Sequence, residues 1–441
     1  MPIRVIADLH IHGKYSRATS EKMDIDEILR FAPIKGLNLV GTGDFTHPKW
    51  FKELKEKLVE VPGTSLFQPA KITNSSLKFM ITGEVSTIFS FQGEIKKIHH
   101  VILTPDFETA EQVNDRLFQY GNLEADGRPS LNMSASQLTE EIMEVSRDNM
   151  IIPAHAWTPW FSLFGAFAGF DRIEDCYQDM IHHIFAVETG LSSDPPMNWR
   201  LSALDRFTLV SNSDSHSSWP WRIGREANVF ELEEFTYSEI IDSIKKKDPA
   251  RFKFTIETYP DYGKYHWTGH RNCEISLPPK EAIKYGNVCP VCHRQLTKGV
   301  EQRVEELADR PEGFQPKDAP GYKYLLPLSE IISTVLGVNY PGVQKVWKIY
   351  NDLISKFGDE YSVLLNASFE SMTELVDPKI AAAIVRVREG NVKIVPGYDG
   401  VYGEIIIFSE EKVAKEEDSF KKKSSFKTRG KAEQRSLADF V

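Results

Sequence analysis

Ile3-Arg4-Val5-Ile6-Ala7-Asp8-Leu9-His10-Ile11-His12 decides how the first half of this chain is read. A mostly apolar, β-branched run ends in a tip that carries an acid and two histidines. On a strand, residues two apart point the same way, so Asp8, His10 and His12 share one face. Such a face is half of a divalent-metal site, because imidazole and carboxylate suit zinc, manganese and iron. Alone, the segment is equally a polar sheet edge.

Outward from this segment the pattern recurs. LNLVGTGD, KFMITGEV, IHHVILT, MIIPAHA, IFAVETG and FTLVSNSD each read as a buried strand followed by a polar tip. Stretches 25–31, 50–59 and 135–148 between them place apolar residues at helical spacing. Strand and helix in alternation predict a parallel sheet or barrel, whose chemistry gathers beyond the C-terminal strand ends. Those tips carry Asp44, Glu84, His99 or His100, His155, and Asp214 with His216. Chance placement at nearly every tip is improbable, and the set predicts a metal centre. His99 and His100 cannot both point inward on a regular strand; the register of HHVILT favours His99.

These motifs resemble the PHP family, the polymerase-and-histidinol-phosphatase metal-dependent phosphoesterases. His10 and His12 match its first motif, Gly83-Glu84 its third, Asp214-x-His216 its last, and His155 the isolated histidine between them. The resemblance implies a distorted seven-stranded (β/α) barrel holding two or three divalent metals (Zn, Mg or Mn). It implies that Glu84 bridges two of them and that His10, His12 and Asp214 complete one site. His155 and the strand-four histidine would complete the other, and Glu84, Asp214 and His155 are the expected catalytic residues. Two departures stand out. Asp44-Phe45 replaces the usual Asp-His, with His47 two residues later, and KYSRATS lacks the family's next histidine. Expected ligands of a third metal are therefore Asp44, His47, Asp194 and His216, although SSDPP around Asp194 also reads as turn chemistry. Two metals about 4 Å apart polarise a phosphoryl group, acidify water and stabilise a leaving oxygen, so phosphate-ester hydrolysis is the expected reaction class.

At 441 residues the chain exceeds one ordinary core. The expected division is a barrel over 1–256, a zinc-binding module over 257–300 and a mainly helical domain over 301–408. A charged, disordered linker over 409–433 and a terminal motif over 434–441 complete it. Of the four cysteines, Cys176 stands apart, while His270-x2-Cys273-x15-Cys289-x2-Cys292 has the spacing of a structural zinc ribbon with imidazole in place of one thiolate. His266 and His293 are alternatives to His270. Nothing approaches the ~20 apolar residues of a membrane span, and the N-terminus reads as a strand rather than a signal peptide, so a cytoplasmic protein without a membrane partner is expected. A net charge of −10 argues at first sight against nucleic acid. Bound cations can invert local charge, however, so the sum excludes nothing.

The last residues space Gln434, Leu437 and Phe440 as in the sliding-clamp interaction box, which they resemble with one aromatic where two are common. A tether before such a box raises its effective concentration at the clamp. The zinc module, the helical domain and this box have no use in a small-molecule phosphatase and point to DNA. Through DLHIHGKYSRA, GTGDFTHPKW, AVETGLSSDPPMNWR, SNSDSHS, GREANVF and the CPVC module, the chain resembles the endonuclease Q family of archaeal repair enzymes. That resemblance implies cleavage 5′ of uracil, hypoxanthine, xanthine or an abasic site, with the base flipped from the stack; a monomer suffices for it. Trp157, Trp160, Phe161 and Tyr398 are stacking candidates, and Arg222 and Arg225 candidate phosphate contacts. Rival readings are a PHP-type small-molecule phosphatase, a lesion-independent exonuclease and a non-catalytic clamp-binding scaffold.

Overall fold

The computed structural model describes residues 2–72 and 74–408. The expected linker and clamp box, with Gln434, Leu437 and Phe440, lie outside the described residues. The chain is a mixed α/β structure with a helical C-terminal region.

The site is framed by β1 (Ile3–Asp8), β2 (Leu39–Gly41) and β3 (Lys78–Phe91), which run parallel. β4 (Glu94–Thr104) pairs antiparallel with β3, and β5 (Met150–Pro153) antiparallel with β4. Parallel alternation, as expected from sequence, fails at β3–β4 for a local reason. Only Gln92 and Gly93 connect the strands, both at positive φ (52° and 85°), which is the two-residue hairpin geometry. A parallel crossover needs a dozen residues or more.

β6 (Ala186–Glu188) and β7 (Thr208–Val210) form a separate parallel pair. Beyond their ends the chain closes on itself. Ala156 N–H donates to Glu188 O at 2.9 Å, Thr189 N–H to Val210 O at 3.0 Å, and His12 N–H to Ser215 O at 2.9 Å. The tips of β1, β5, β6 and β7 therefore share one rim. On the other side of β1 the sheet continues through antiparallel β8 (Ala227–Leu232) and β9 (Phe252–Glu257). Parallel β10 (Gly321–Tyr324), from the segment after the cysteine module, follows them.

Burial on both faces explains the near-continuous apolar runs. Val5, Leu39, Met80, Val101, Ile152, Ala186, Val210 and Phe230 form one buried cluster. Their neighbours Val40, Ile81, Ile102, Ile151 and Val187 belong to the other, shared with the helices.

After residue 257 come two knuckles: a hairpin of Thr268–His270 with Ile275–Leu277, and a turn closed by the Val288–Gln295 bridge. Helices Leu328–Leu336, Gln344–Phe357, Glu360–Leu365 and Pro378–Arg388 then pack together before a hairpin of Lys393–Val395 with Glu404–Ile406. A buried ion pair, Lys35 Nζ to Glu360 Oε1 at 2.7 Å, fastens this region to the helix after β1. Glu360 also accepts from Leu328 N–H and Tyr350 OH, so the buried charge is fully answered, as it must be. Among the described residues no helix is long and apolar enough to cross a membrane.

Candidate active site

Glu84, fully buried on β3, divides its two oxygens between two groups of donors. Oε2 lies 3.3 Å from His12 Nε2 and 3.6 Å from His10 Nε2, and Asp214 Oδ1 lies 3.0 Å from the same His12 nitrogen. Oε1 lies 2.9 Å from His99 Nδ1 and 3.1 Å from His155 Nε2. Within each group the potential ligand atoms fall inside 4.8 Å of one another. The far nitrogens of three rings are already engaged. Glu188 faces His10 Nδ1 at 3.0 Å, Asp44 Oδ1 accepts from His12 Nδ1 at 2.9 Å, and Thr158 Oγ1 lies 3.0 Å from His155 Nδ1. Such outer partners fix tautomer and ring direction in metal sites. His10 Nε2 is buried and has no hydrogen-bond partner. An inward imidazole nitrogen left bare among carboxylates fits a divalent cation better than any protein group nearby.

Backbone strain collects here too. His155, Asp214 and Asp44 sit at φ of +30°, +48° and +50°, a region costly for side chains with a Cβ and kept where surrounding structure imposes it. Gly190, at φ +65°, lies so close to His155 that an added Cβ would stand 2.5 Å from the histidine's own.

The electrostatics match an ion-binding cluster. Burial opposes charge on His10, but Glu188 and Glu84 outweigh it and hold its pKa well above the usual value. His12 is raised likewise against burial, by Asp44 and Asp214. Burial also opposes the charged form of Glu84, yet His99, Arg128 and His10 hold its carboxyl well below the ordinary range. For His99 burial wins, and its pKa falls to about 4 despite Glu84. Protons on His10 and His12 thus supply positive charge that a bound cation would replace.

Several expected residues stand elsewhere. His100 points away from Glu84: Nε2 meets Thr87 Oγ1 and Nδ1 meets Tyr177 OH, both at 2.9 Å. The metal expectation for His100 is therefore corrected in favour of His99. Asp44 orients His12 and accepts Gly13 N–H, acting as an outer partner. His47 stacks on Tyr15. Asp194 caps the short helix Pro195–Asn198 through Met197 N–H and accepts from Tyr324 OH at 2.6 Å, which is turn chemistry. His216 lies over His12, ring centroids 4.4 Å apart, with Nδ1 at 2.9 Å from Asp214 O. Among the described residues, none of Asp44, His47, Asp194 and His216 joins a group of three close donors.

A cleft of about 550 Å³ opens from this centre, lined by His155, Thr158, Leu191, Ser192, Asp214, His216, Arg222, Arg225, Tyr265 and Tyr402. Arg222 is exposed at its edge, whereas Arg225 is buried and 3.5 Å from Glu330. Trp157 is core, its Nε1 donating to Asn198, and Tyr398 packs on Gly269 in the cysteine module. Neither lines the cleft. Phe161 tilts against His99 at 5.0 Å, and Trp160 is exposed beside Tyr265.

Four site residues escaped the sequence reading. Glu188 ends β6 and obeys the same strand-tip rule as the others. Arg128, whose Nη1 lies 3.2 Å from Glu84 Oε2, comes from a loop and gives no periodic signal. Tyr265 and Tyr402 come from segments distant in the chain.

The second donor cluster is His270, Cys273, Cys289 and Cys292, one ligand atom from each within 4.8 Å. His270 Nδ1 lies 3.3 Å from Cys292 Sγ. Burial opposes ionisation of Cys289, but the backbone N–H groups of Cys292 and Val291 and the His270 ring bring it down to about 6, apt for a thiolate ligand. His266 is occupied by Asp261 at 3.2 Å, and His293 is exposed.

Residues 327–391 match the family described as "MJ0043 C-terminal domain". The chain is 37% identical over 267 residues to the uncharacterized protein MJ0043 of Methanocaldococcus jannaschii, a match covering 59% of this chain but only 32% of that protein. The crystal structure of the lesion-specific endonuclease PfuEndoQ from Pyrococcus furiosus superposes with a TM-score of 0.82 at 36% identity, over 92% of this chain and 96% of that one. A structure of endonuclease Q with a 27-mer duplex carrying an abasic lesion at the active site gives 0.82 at 35% identity, over 92% and 97%.

Proposed function

Because this chain belongs to the endonuclease Q family, we propose that it is a metal-dependent DNA repair endonuclease. It hydrolyses the phosphodiester bond on the 5′ side of a deaminated base (uracil, hypoxanthine, xanthine) or of an abasic site. The observation that carries this reading is the split carboxylate: Glu84 shares one oxygen with His10, His12 and Asp214 and the other with His99 and His155. Divalent ions held by these two groups would neutralise phosphoryl oxygens and acidify an attacking water.

The chain's own residues do the rest. Glu188, Asp44 and Thr158 aim the imidazoles. Arg128, 3.2 Å from Glu84, carries its charge where a phosphate oxygen must come, and exposed Arg222 meets the adjacent phosphate. The cleft of about 550 Å³ has room for one nucleotide turned out of the helix, with Tyr265 and Tyr402 as its aromatic walls. Turning it out costs a few kcal/mol, least where the base pairs badly or is missing.

The same proposal includes a seven-stranded barrel of β1 to β7 within residues 1–256, a structural zinc in the 257–300 module, and a helical domain over 301–408. It also includes a cytoplasmic monomer recruited by a sliding clamp through Gln434, Leu437 and Phe440.

The test is a duplex with a single deoxyuridine, deoxyinosine or abasic site, incubated with Mg²⁺ or Mn²⁺. One nick immediately 5′ of the lesion, absent in Glu84→Ala, is expected. Release of phosphate from a generic monoester with no nick would make the chain a small-molecule phosphatase. Degradation of undamaged 3′ ends would make it an exonuclease.

A further inference from the structure

Along the outer lip of the cleft the aromatic wall of Tyr265 and Tyr402 continues as a strip into two rings, Trp160 and Phe167, that do not line the cleft and that the cutting reaction does not use. Trp160 and Phe167 stack at 5.1 Å and 8°, and Tyr265 meets Trp160 edge-on at 5.4 Å. Lys264 Nζ lies 5.5 Å from the Tyr265 ring and 5.8 Å from the Tyr402 ring, which links the strip to the cleft wall. Trp160, Phe167 and Tyr402 are 42%, 50% and 54% exposed, although burying such rings is worth about 25 cal/mol for each Å² of apolar surface. A scattered exposed ring needs no explanation, but rings in contact with one another at a cleft mouth form a patch with a use.

The charges around the strip indicate its occupant. Lys97 Nζ lies 5.2 Å from the Phe161 ring, beside Trp160. Among the described residues neither Lys97 nor Lys264 takes part in an ion pair. Glu94 and Asp171, on the Phe167 side, are paired with Lys96 and Arg303. Stacked faces with free cations beside them suit unpaired nucleotides, because every base has a π-face and every linkage a negative charge.

We propose that Phe167 and Trp160 extend the Tyr265 and Tyr402 wall of the cleft into a track for single-stranded DNA, on which unpaired bases next to the cleft stack while Lys97 and Lys264 meet their phosphates. The proposal rests on the reading that this chain acts on DNA. It adds a grip on unpaired strand that is independent of the lesion and of sequence.

The experiment measures binding of the full chain to a fluorescein-labelled oligothymidylate of about 12 nucleotides and to an undamaged duplex of equal length. Trp160→Ala and Phe167→Ala are each expected to weaken oligothymidylate binding about tenfold while duplex binding stays within about twofold. Trp160→Phe, which keeps a ring, should retain most of the affinity. Lys97→Ala and Lys264→Ala should each lower the salt slope of single-strand binding by about 0.7. Unchanged oligothymidylate affinity in both alanine variants would overturn the track. An equal loss on duplex, or a Trp160→Phe variant as weak as Trp160→Ala, would also do so. Wild-type chain that binds oligothymidylate but never nicks a lesion duplex would remove the nuclease reading and leave the track standing. Normal nicking with unaltered oligothymidylate affinity in the variants removes the track alone.

Discussion

Glu188 accepts the backbone N–H of His155 at 2.7 Å through the same oxygen that lies 3.0 Å from His10 Nδ1. One buried carboxylate therefore aims a ligand from each of the two donor groups, and Asn212 Nδ2 holds its other oxygen at 2.8 Å. Glu188→Gln keeps the shape but loses the charge and one acceptor. We expect Mn²⁺ affinity to fall at least about tenfold, as for other outer partners of metal ligands, with the melting curve little changed. Calorimetric titration of Mn²⁺ measures it; a dissociation constant within about twofold of wild type would reduce Glu188 to a structural residue.

His99 and His100 are adjacent on β4 yet belong to different surroundings. His99→Ala removes a donor 2.9 Å from Glu84 and should abolish nicking with little loss of stability. His100→Ala strands the buried Tyr177 hydroxyl, while Thr87 keeps Ile98 O as acceptor, so about 1–3 kcal/mol of stability should be lost while metal binding persists. Urea unfolding and Mn²⁺ titration of the two variants separate the roles, and the opposite pattern would return His100 to the site.

The strand-tip residues were legible because strand periodicity and tip position are both written locally. His10, His12, His155 and Asp214 lie just beyond strand ends as that rule requires, and Glu188 ends β6 in the same way. Glu84, expected at the end of its strand, instead joins them from the middle of β3, which runs on to Phe91 as the first arm of the hairpin. Arg128, Tyr265 and Tyr402 were not legible, since a loop residue reaches a site through the path of the whole chain and leaves no period. Tyr398, a stacking candidate from sequence, packs on Gly269 of the cysteine module, while Tyr402, four residues on, lines the cleft. The antiparallel β3–β4 pair was legible in principle from Gln92-Gly93, a turn too short for a crossover.

Gly190 is a second point where backbone governs chemistry. Its φ of +65° already disfavours a side chain, and a Cβ there would stand 2.5 Å from His155 Cβ. Gly190→Ala should cost more than about 1 kcal/mol and displace His155, lowering nicking more than substrate binding. Denaturant midpoints and single-turnover rates report the two effects. A variant with wild-type rate would show that His155 tolerates the shift.

Glu257 supplies a pH signature away from the metal ligands. Burial raises its pKa to about 8, against hydrogen bonds from Ser211 and Thr255 and with Asp194 adding to the rise. The folded state thus keeps a proton that the unfolded chain, near its ordinary value, gives up. Between roughly pH 4.5 and 8 the folded state binds more protons, so this group's contribution to stability falls as pH rises. Glu257→Gln is neutral at every pH and should flatten the decline in urea midpoint between about pH 5 and 8. Parallel wild-type and variant curves would show that Glu257 does not carry it.

The cysteine module offers the last prediction. Its two knuckles bury little apolar surface of their own: Cys273 and Cys292 are half-buried, and Ile275, Ser276 and Leu277 likewise. A module with so small a core needs a cross-link, and four donors within 4.8 Å provide one if a zinc ion holds them. Cys289 is the fully buried member, and against burial its backbone N–H neighbours and the His270 ring bring its thiol down to about 6. Cys289→Ser should lose one equivalent of zinc per chain, measured by colorimetric release, and should loosen residues 268–297. Because Arg303 just beyond the module donates to Phe164 O and Phe170 O, loosening should spread to the 164–170 loop under the Trp160–Phe167 pair. Hydrogen exchange that quickens in both segments supports this coupling; exchange confined to 268–297 would make the module an independent clip.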